Sequence, residues 1–164
     1  MNSFWKSSIC RGAIFGLFIF LLFSCSETEQ EPSDDYFISA KLSGQSFKFQ
    51  DSATGVVEAR SFSAFAGQNP TSNFPSFSFD IESLPISVGE FKESDSGLIM
   101  IFRYSLSGTE TFHSQMGEEG DFVIRISSLT EKYIEGSFSG TIRGASNSSQ
   151  FFTVSEGKFR LKRS

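Results

Sequence analysis

The 164-residue chain carries one histidine, His113, so one side chain has an ordinary pKa suited to proton transfer near neutral pH. A hydrolase triad would place that imidazole beside a nucleophile and an orienting carboxylate. Ser114 is the next residue, but neighbours along a strand point to opposite faces, so sequence proximity does not join the pair. His113 therefore reads as an exposed surface histidine. Gly136-Ser137-Phe138-Ser139-Gly140 has the outline of a nucleophile elbow, yet Phe138 stands where the serine would be. Carboxylates are the other reactive groups. Asp80 and Glu82 share the outward face of one strand, and Glu118, Glu119 and Asp121 crowd a loop. Two acids roughly 5–9.5 Å apart could hydrolyse a glycosidic bond, although loop acids more commonly form turns and solvated charge. Calcium at Glu118, Glu119 and Asp121, or at Glu93 and Asp95, lacks the ligand spacing of an EF-hand.

The two cysteines change this inventory. Cys25 closes an apolar run, Ala13 to Phe23, preceded by Lys6 and Arg11 and followed by the polar, acidic stretch Ser26 to Asp35. A charged start, an apolar middle and a cleavage site make an export signal. The run falls short of the roughly 20 apolar residues of a membrane span. Leu22-Phe23-Ser24-Cys25 resembles the bacterial lipobox, whose cysteine becomes the lipidated first residue of the mature chain. The expected organisation is a lipoprotein signal peptide at 1–24, a lipidated Cys25 with an acidic tether to 35, and a domain at 36–164. Cys10 leaves with the signal and Cys25 takes lipid, so the domain has no thiol for a disulfide, a metal or catalysis. A zinc or transition-metal site would then rest on carboxylates and His113 alone. No catalytic residue, metal or cofactor is expected.

Charge narrows the partners. Loss of Lys6 and Arg11 leaves 12 basic residues against 19 acidic, a net charge of −7. Nucleic-acid affinity rests on cations that neutralise phosphates, so no nucleic-acid partner is expected. Lys158, Arg160, Lys162 and Arg163 form the one basic cluster, read as a solvated strand face with a charged tail. Glycan recognition usually presents flat aromatics. Trp5 leaves with the signal, and of Tyr36, Tyr104 and Tyr133 the first two fall in strand patterns and read as core.

The elements that must position these groups are strands. Tyr36, Ile38, Ala40 and Leu42 alternate with Ser39 and Lys41; Ser43-Gly44-Gln45 turns the chain and Phe47 and Phe49 resume, a hairpin. Val56 to Ala66 reads as one strand with a bulge. Phe77, Phe79 and Ile81 alternate with serines and acids, and Ile86, Val88 and Phe91 share one face of a short segment. Leu98 to Tyr104 is apolar on both faces, as in a strand covered on both sides, and Thr109 to His113 reads as a short edge strand. Phe122, Ile124 and Ile126 face inward, followed by Ile134, Phe138 and Ile142 with Gly136 and Gly140 between them. Such inward glycines mark a curved strand or the close approach of an opposing layer. Phe159 and Leu161 lie inside the last strand. No helical period is sustained after residue 24. The expected fold is all-β: a single antiparallel β-sandwich or flattened barrel of roughly eight to ten strands.

Three short patterns carry a resemblance. Ala40, Leu42, Gly44 and Phe47, then Gly136, Phe138, Gly140 and Ile142, then Gly157, Lys158 and Phe159 resemble uncharacterised small lipoproteins of Bacteroidota over about residues 36–163. The resemblance implies an all-β fold and an outer-membrane, surface-facing location, and it implies no activity. Glu27, Glu29 and Glu31 resemble the surface-export signal of such lipoproteins, with a merely soluble tether as the alternative. Asp51-Ser52-Ala53 fits their acceptor pattern for O-glycosylation, which makes Ser52 a candidate. The expected role is a non-enzymatic binding or accessory module of the envelope, held to the membrane through lipid on Cys25, with an envelope protein or a glycan as partner. The alternatives are a carboxylate-dependent enzyme acting on glycans and a structural subunit of an outer-membrane complex.

Overall fold

Alternation of apolar and polar residues runs through the chain from Phe37 to Arg163, and strands follow it. The computed structural model describes residues 35–68, 73–82, 85–116 and 121–164. The signal segment, Cys25, nearly all of the tether, Glu118 and Glu119 lie outside the described residues. Among those described, eleven strands form: β1 (Phe37–Leu42), β2 (Gln45–Phe49), β3 (Asp51–Glu58), β4 (Ser61–Gly67), β5 (Ser76–Glu82), β6 (Gly89–Lys92), β7 (Ile99–Ser105), β8 (Thr111–His113), β9 (Val123–Leu129), β10 (Tyr133–Gly144) and β11 (Phe151–Arg163). The fold is all-β.

The strands make one continuous sheet in the order β2-β1-β11-β3-β4-β5-β7-β8-β10-β9-β6, with a further pairing of β10 to β11. That pairing closes a ring of seven strands, β11-β3-β4-β5-β7-β8-β10, and leaves β1–β2 and β9–β6 as wings. Two long strands make closure feasible by changing partner along their length. β11 pairs with β1 from Val154 to Arg160 and then, in parallel, with β3 at Lys162 and Arg163. β10 pairs with β9 up to Ser139 and with β8 at Arg143 and Gly144. The result is a flattened barrel with two opposed halves, β2-β1-β11-β10-β9-β6 and β3-β4-β5-β7-β8.

Five sequence expectations need correction. The strand count is eleven, with one parallel pairing. Val56 to Ala66 is two strands joined at Ala59-Arg60, a turn without glycine, proline or asparagine to announce it; the bulge lies earlier, at Ser52 (φ 56°). β7 is covered on one face only, since Met100, Phe102 and Tyr104 are buried while Ile99 is 50% exposed. β8 is no edge strand, because it joins β7 to β10 and closes the barrel. Val88 also leaves its expected face and is exposed.

Phenylalanine fills the interior. Phe77, Phe79 and Phe102 from one half meet Phe122, Phe138 and Phe159 from the other, with Phe138 and Phe102 ring centroids 4.8 Å apart. A bulge in β11 keeps both ends of that long strand pointing inward. Three residues of β11 oppose two on each neighbour, and Glu156 there takes φ 51°. Val154 before the bulge and Phe159 after it are both buried despite opposite parity. At the first hairpin, Ser43 (φ 46°) and Gly44 (φ 91°) supply the two positive φ values of a two-residue turn that matches strand twist.

Candidate functional site

The residues singled out for chemistry are dispersed. His113 lies on β8 between Arg103 and Arg143 of the flanking strands and is half-buried, so the expectation of an exposed histidine is corrected. Burial, then the neighbouring Arg103 charge, holds its pKa below the ordinary histidine value. Ser114 turns inward into a 3-10 turn, accepts a hydrogen bond from the Phe102 amide (3.0 Å) and donates to Glu93 Oε1 (3.0 Å). Asp80 pairs with Arg103, and Glu82 is exposed at the end of the same strand. Asp121 accepts from the Thr141 amide (3.1 Å) and hydroxyl (2.9 Å). Asp95 accepts from the Lys92 amide and shapes the turn after β6. Among the described residues no group of three or more His, Cys, Asp or Glu side chains is placed to hold a metal. Ser52 is exposed at the β3 bulge, beside a shallow hollow lined by Tyr36, Gln50 and Lys162. Tyr104 is buried and Tyr36 packs against the core, as expected, while Tyr133 lies beneath the Arg160 guanidinium (4.3 Å) on the outer face.

Glu93 is a partly buried carboxylate that no cation pairs with among the described residues. Burial first, with the charge of Asp121 adding to it and the Ser114 hydrogen bond opposing it, lifts its pKa above the usual carboxylate range. Its Oε2 is buried and has no partner among the described residues. An acid with a raised folded pKa holds its proton more tightly folded than unfolded, so folding is favoured as pH falls through that pKa toward the ordinary 4.5. Glu93→Gln stays neutral at every pH. Its stability relative to the parent is expected to be greatest at pH 7 and to shrink as pH falls toward 4.5. Thermal melts of both proteins across that range check this, and a pH-independent difference contradicts it. His113, common to both, cancels from the comparison.

Charge is segregated between the halves. Strands β1, β2, β6, β9, β10 and β11 carry nine lysines and arginines against three glutamates. Strands β3, β4, β5, β7 and β8 carry Arg103 against four acids. The register lines up one cross-strand row on the outer face of the basic half: Lys48 opposite Ser39, Ser39 opposite Lys158, Lys158 opposite Ser137, Ser137 opposite Arg125, and Arg125 opposite Glu90. The alternate residues Ile38, Ala40, Gly157, Phe138 and Ile124 are buried beneath it, so the row points to solvent. The Lys158 side chain, at its centre, has no hydrogen bond or ion pair among the described residues. Lys41 pairs with Glu156 (2.6 Å), and Glu90 pairs with both Arg125 and Lys92. Arg125 first, then Lys92, holds the Glu90 pKa below the usual carboxylate range. Two open hollows of about 450 and 540 Å³ flank the row and share Glu156 and Lys158.

Sequence reasoning missed this face because its cations come from six strands spread along the chain, inside an acidic total. The expected C-terminal cluster contributes differently at each position. Lys158 and Lys162 are exposed, whereas Arg160 pairs with Glu135 and Arg163 donates to the Thr130 carbonyl (2.9 Å). A search of the strand sequences for Lys or Arg flanked by apolar residues, as in Ala40-Lys41-Leu42, Phe47-Lys48-Phe49 and Ile124-Arg125-Ile126, would have found three of its members. Comparison of the chain with protein-family models, with curated proteins and with solved structures finds no match in any of the three.

Proposed function

We propose that this protein is an exported lipoprotein of the outer membrane, anchored through lipid on Cys25 and facing the cell surface, and that its β-domain is a non-enzymatic binding module. The observation that carries the binding reading is the basic, serine-lined row on an open sheet face, backed by a core packed with phenylalanine. The carboxylates bear on the non-enzymatic part. Asp80 is engaged by Arg103, Asp121 by Thr141 and Glu93 by Ser114, which gives each a role in holding the fold. The charged start with Lys6 and Arg11, the apolar run and Cys25 support the location, and one acyl chain gives only marginal membrane binding, so stable anchoring needs several on this cysteine.

Two measurements test the reading. Cys25→Ala is expected to abolish incorporation of a fatty-acid probe and to leave the precursor uncleaved; label retained in the variant removes the anchor. For the binding role, the lipidated protein is pulled down from detergent extracts of its own cells, alongside a variant with Lys48, Lys158 and Arg125 changed to Gln. An envelope component recovered with the parent and lost from the variant is the expected result. Recovery of an outer-membrane barrel protein equally with both would place the chain as a structural subunit instead.

A further inference from the structure

The geometry points to an acidic polysaccharide as the ligand of the basic row, bound as an extended chain that crosses the strands of the outer face. This rests on the binding reading above and names the ligand class.

Lys48, Lys158 and Arg125 stand on every second strand, and alternate strands are about 10 Å apart. From Lys48 on β2 to Arg125 on β9 the cations span four strand spacings, roughly 19 Å, and Glu90 on β6, paired with Arg125, ends the row. A line of cations at regular intervals fits a linear polymer with repeated negative charge better than a compact phosphate, which several converging donors would cradle. Between the cations stand Ser39 and Ser137, whose hydroxyls both donate and accept, as sugar hydroxyls require of their partners. Single-stranded nucleic acid would call for aromatic platforms under its bases, and no residue of the row is aromatic. A membrane surface would call for large apolar side chains reaching the acyl boundary. The exposed large apolar residues among those described are Val56, Val88, Ile99, Leu106 and Phe151, none of them in the row.

Glu156 tunes the face. It sits at the β11 bulge, where the two hollows meet, and its carboxylate occupies Lys41. Removing that charge frees Lys41 and takes repulsion away from the centre of the row.

The test measures binding of the full-length lipidated protein, in neutral detergent, to polygalacturonate, to an uncharged glucan, to duplex DNA and to phosphatidylglycerol vesicles. Polygalacturonate is expected to bind in preference to the other three, more weakly as salt rises. Each of Lys48→Gln, Lys158→Gln and Arg125→Gln should weaken binding by up to about five-fold, and the three together by roughly a hundred-fold. Glu156→Gln should strengthen it several-fold, a gain that misfolding cannot mimic, and Arg60→Gln, in the turn between β3 and β4, should leave it unchanged. No binding to polygalacturonate, equal binding to the glucan, tighter binding to DNA or vesicles, or indifference to the triple substitution overturns the inference. If polygalacturonate fails while the triple variant still loses its partner from cell extracts, the binding module stands and only the ligand class is wrong. Loss of neither removes both.

Discussion

Phe138→Ala is expected to unfold the domain or to remove most of its stability. The Phe138 ring is 3% exposed and lies between the two halves, with the rings of Phe102, Phe79, Phe77 and Phe122 at centroid distances of 4.8, 6.1, 6.4 and 6.3 Å. Phe77, Phe79 and Phe102 belong to strands fixed by ladders on both sides, and Phe122 leads directly into β9, so the cavity left by truncation cannot collapse. Loss of a buried phenylalanine costs about 3–5 kcal/mol, against a total of roughly 5–15 kcal/mol for a domain. The described domain contains no cysteine, so no disulfide offsets the loss. Ser137→Ala and Ser139→Ala, on the exposed face of the same strand, should change stability by about 0.5 kcal/mol or less. Urea denaturation of the three variants decides the matter, and a larger loss from either serine variant would contradict the inward placement of Phe138.

Gly136→Ala is expected to be nearly as damaging for the opposite reason. A methyl group there would stand 2.1 Å from the Arg125 carbonyl oxygen and 2.4 Å from the Phe159 ring. The register explains the crowding. Gly136 lies opposite Phe159 and Phe138 lies opposite Gly157, so each ring covers the glycine across the ladder. The space beside these glycines is taken by rings of the adjacent strand, and at Gly140 by Phe122. Of the two expectations for these glycines, a curved strand or the approach of an opposing layer, the second is thereby corrected. A ring can shift, but the Arg125 carbonyl is held on β9, and moving it opens the β9–β10 ladder. Overpacking costs about 1–3 kcal/mol and occasionally more, and a backbone clash puts this substitution at or above the top of that range. Gly108→Ala, whose nearest contact would be 3.8 Å away, is the comparison and should cost about 0.5 kcal/mol or less. Adding Phe159→Leu to Gly136→Ala should not restore stability, because the carbonyl contact remains.

Local alternation by itself determined the strands that bury one face. Ile38, Ala40 and Leu42, then Phe77, Phe79 and Ile81, then Phe122, Ile124 and Ile126 all lie inward as their spacing requires. It also determined the inward set Ile134, Phe138 and Ile142 and the all-β class, because period-two burial leaves no other regular solution. Where alternation was weak, tertiary contacts decided. Ala59-Arg60 turns the chain without turn-forming residues because β4 pairs with both β3 and β5, which fixes the reversal from outside the turn. β8 is only three residues long, too short to announce that it closes a barrel; that depends on the far end of β10 reaching it. The β11 bulge at Glu156 changes the phase of the strand and is invisible to any pattern that assumes a constant one. The candidate site was the least legible part. Net charge is a sum over the chain and carries no direction, whereas a charged face depends on which residues the register sets side by side. Lys48, Lys158 and Arg125 are separated by 110 and 33 residues in sequence, yet β-pairing places them in one row.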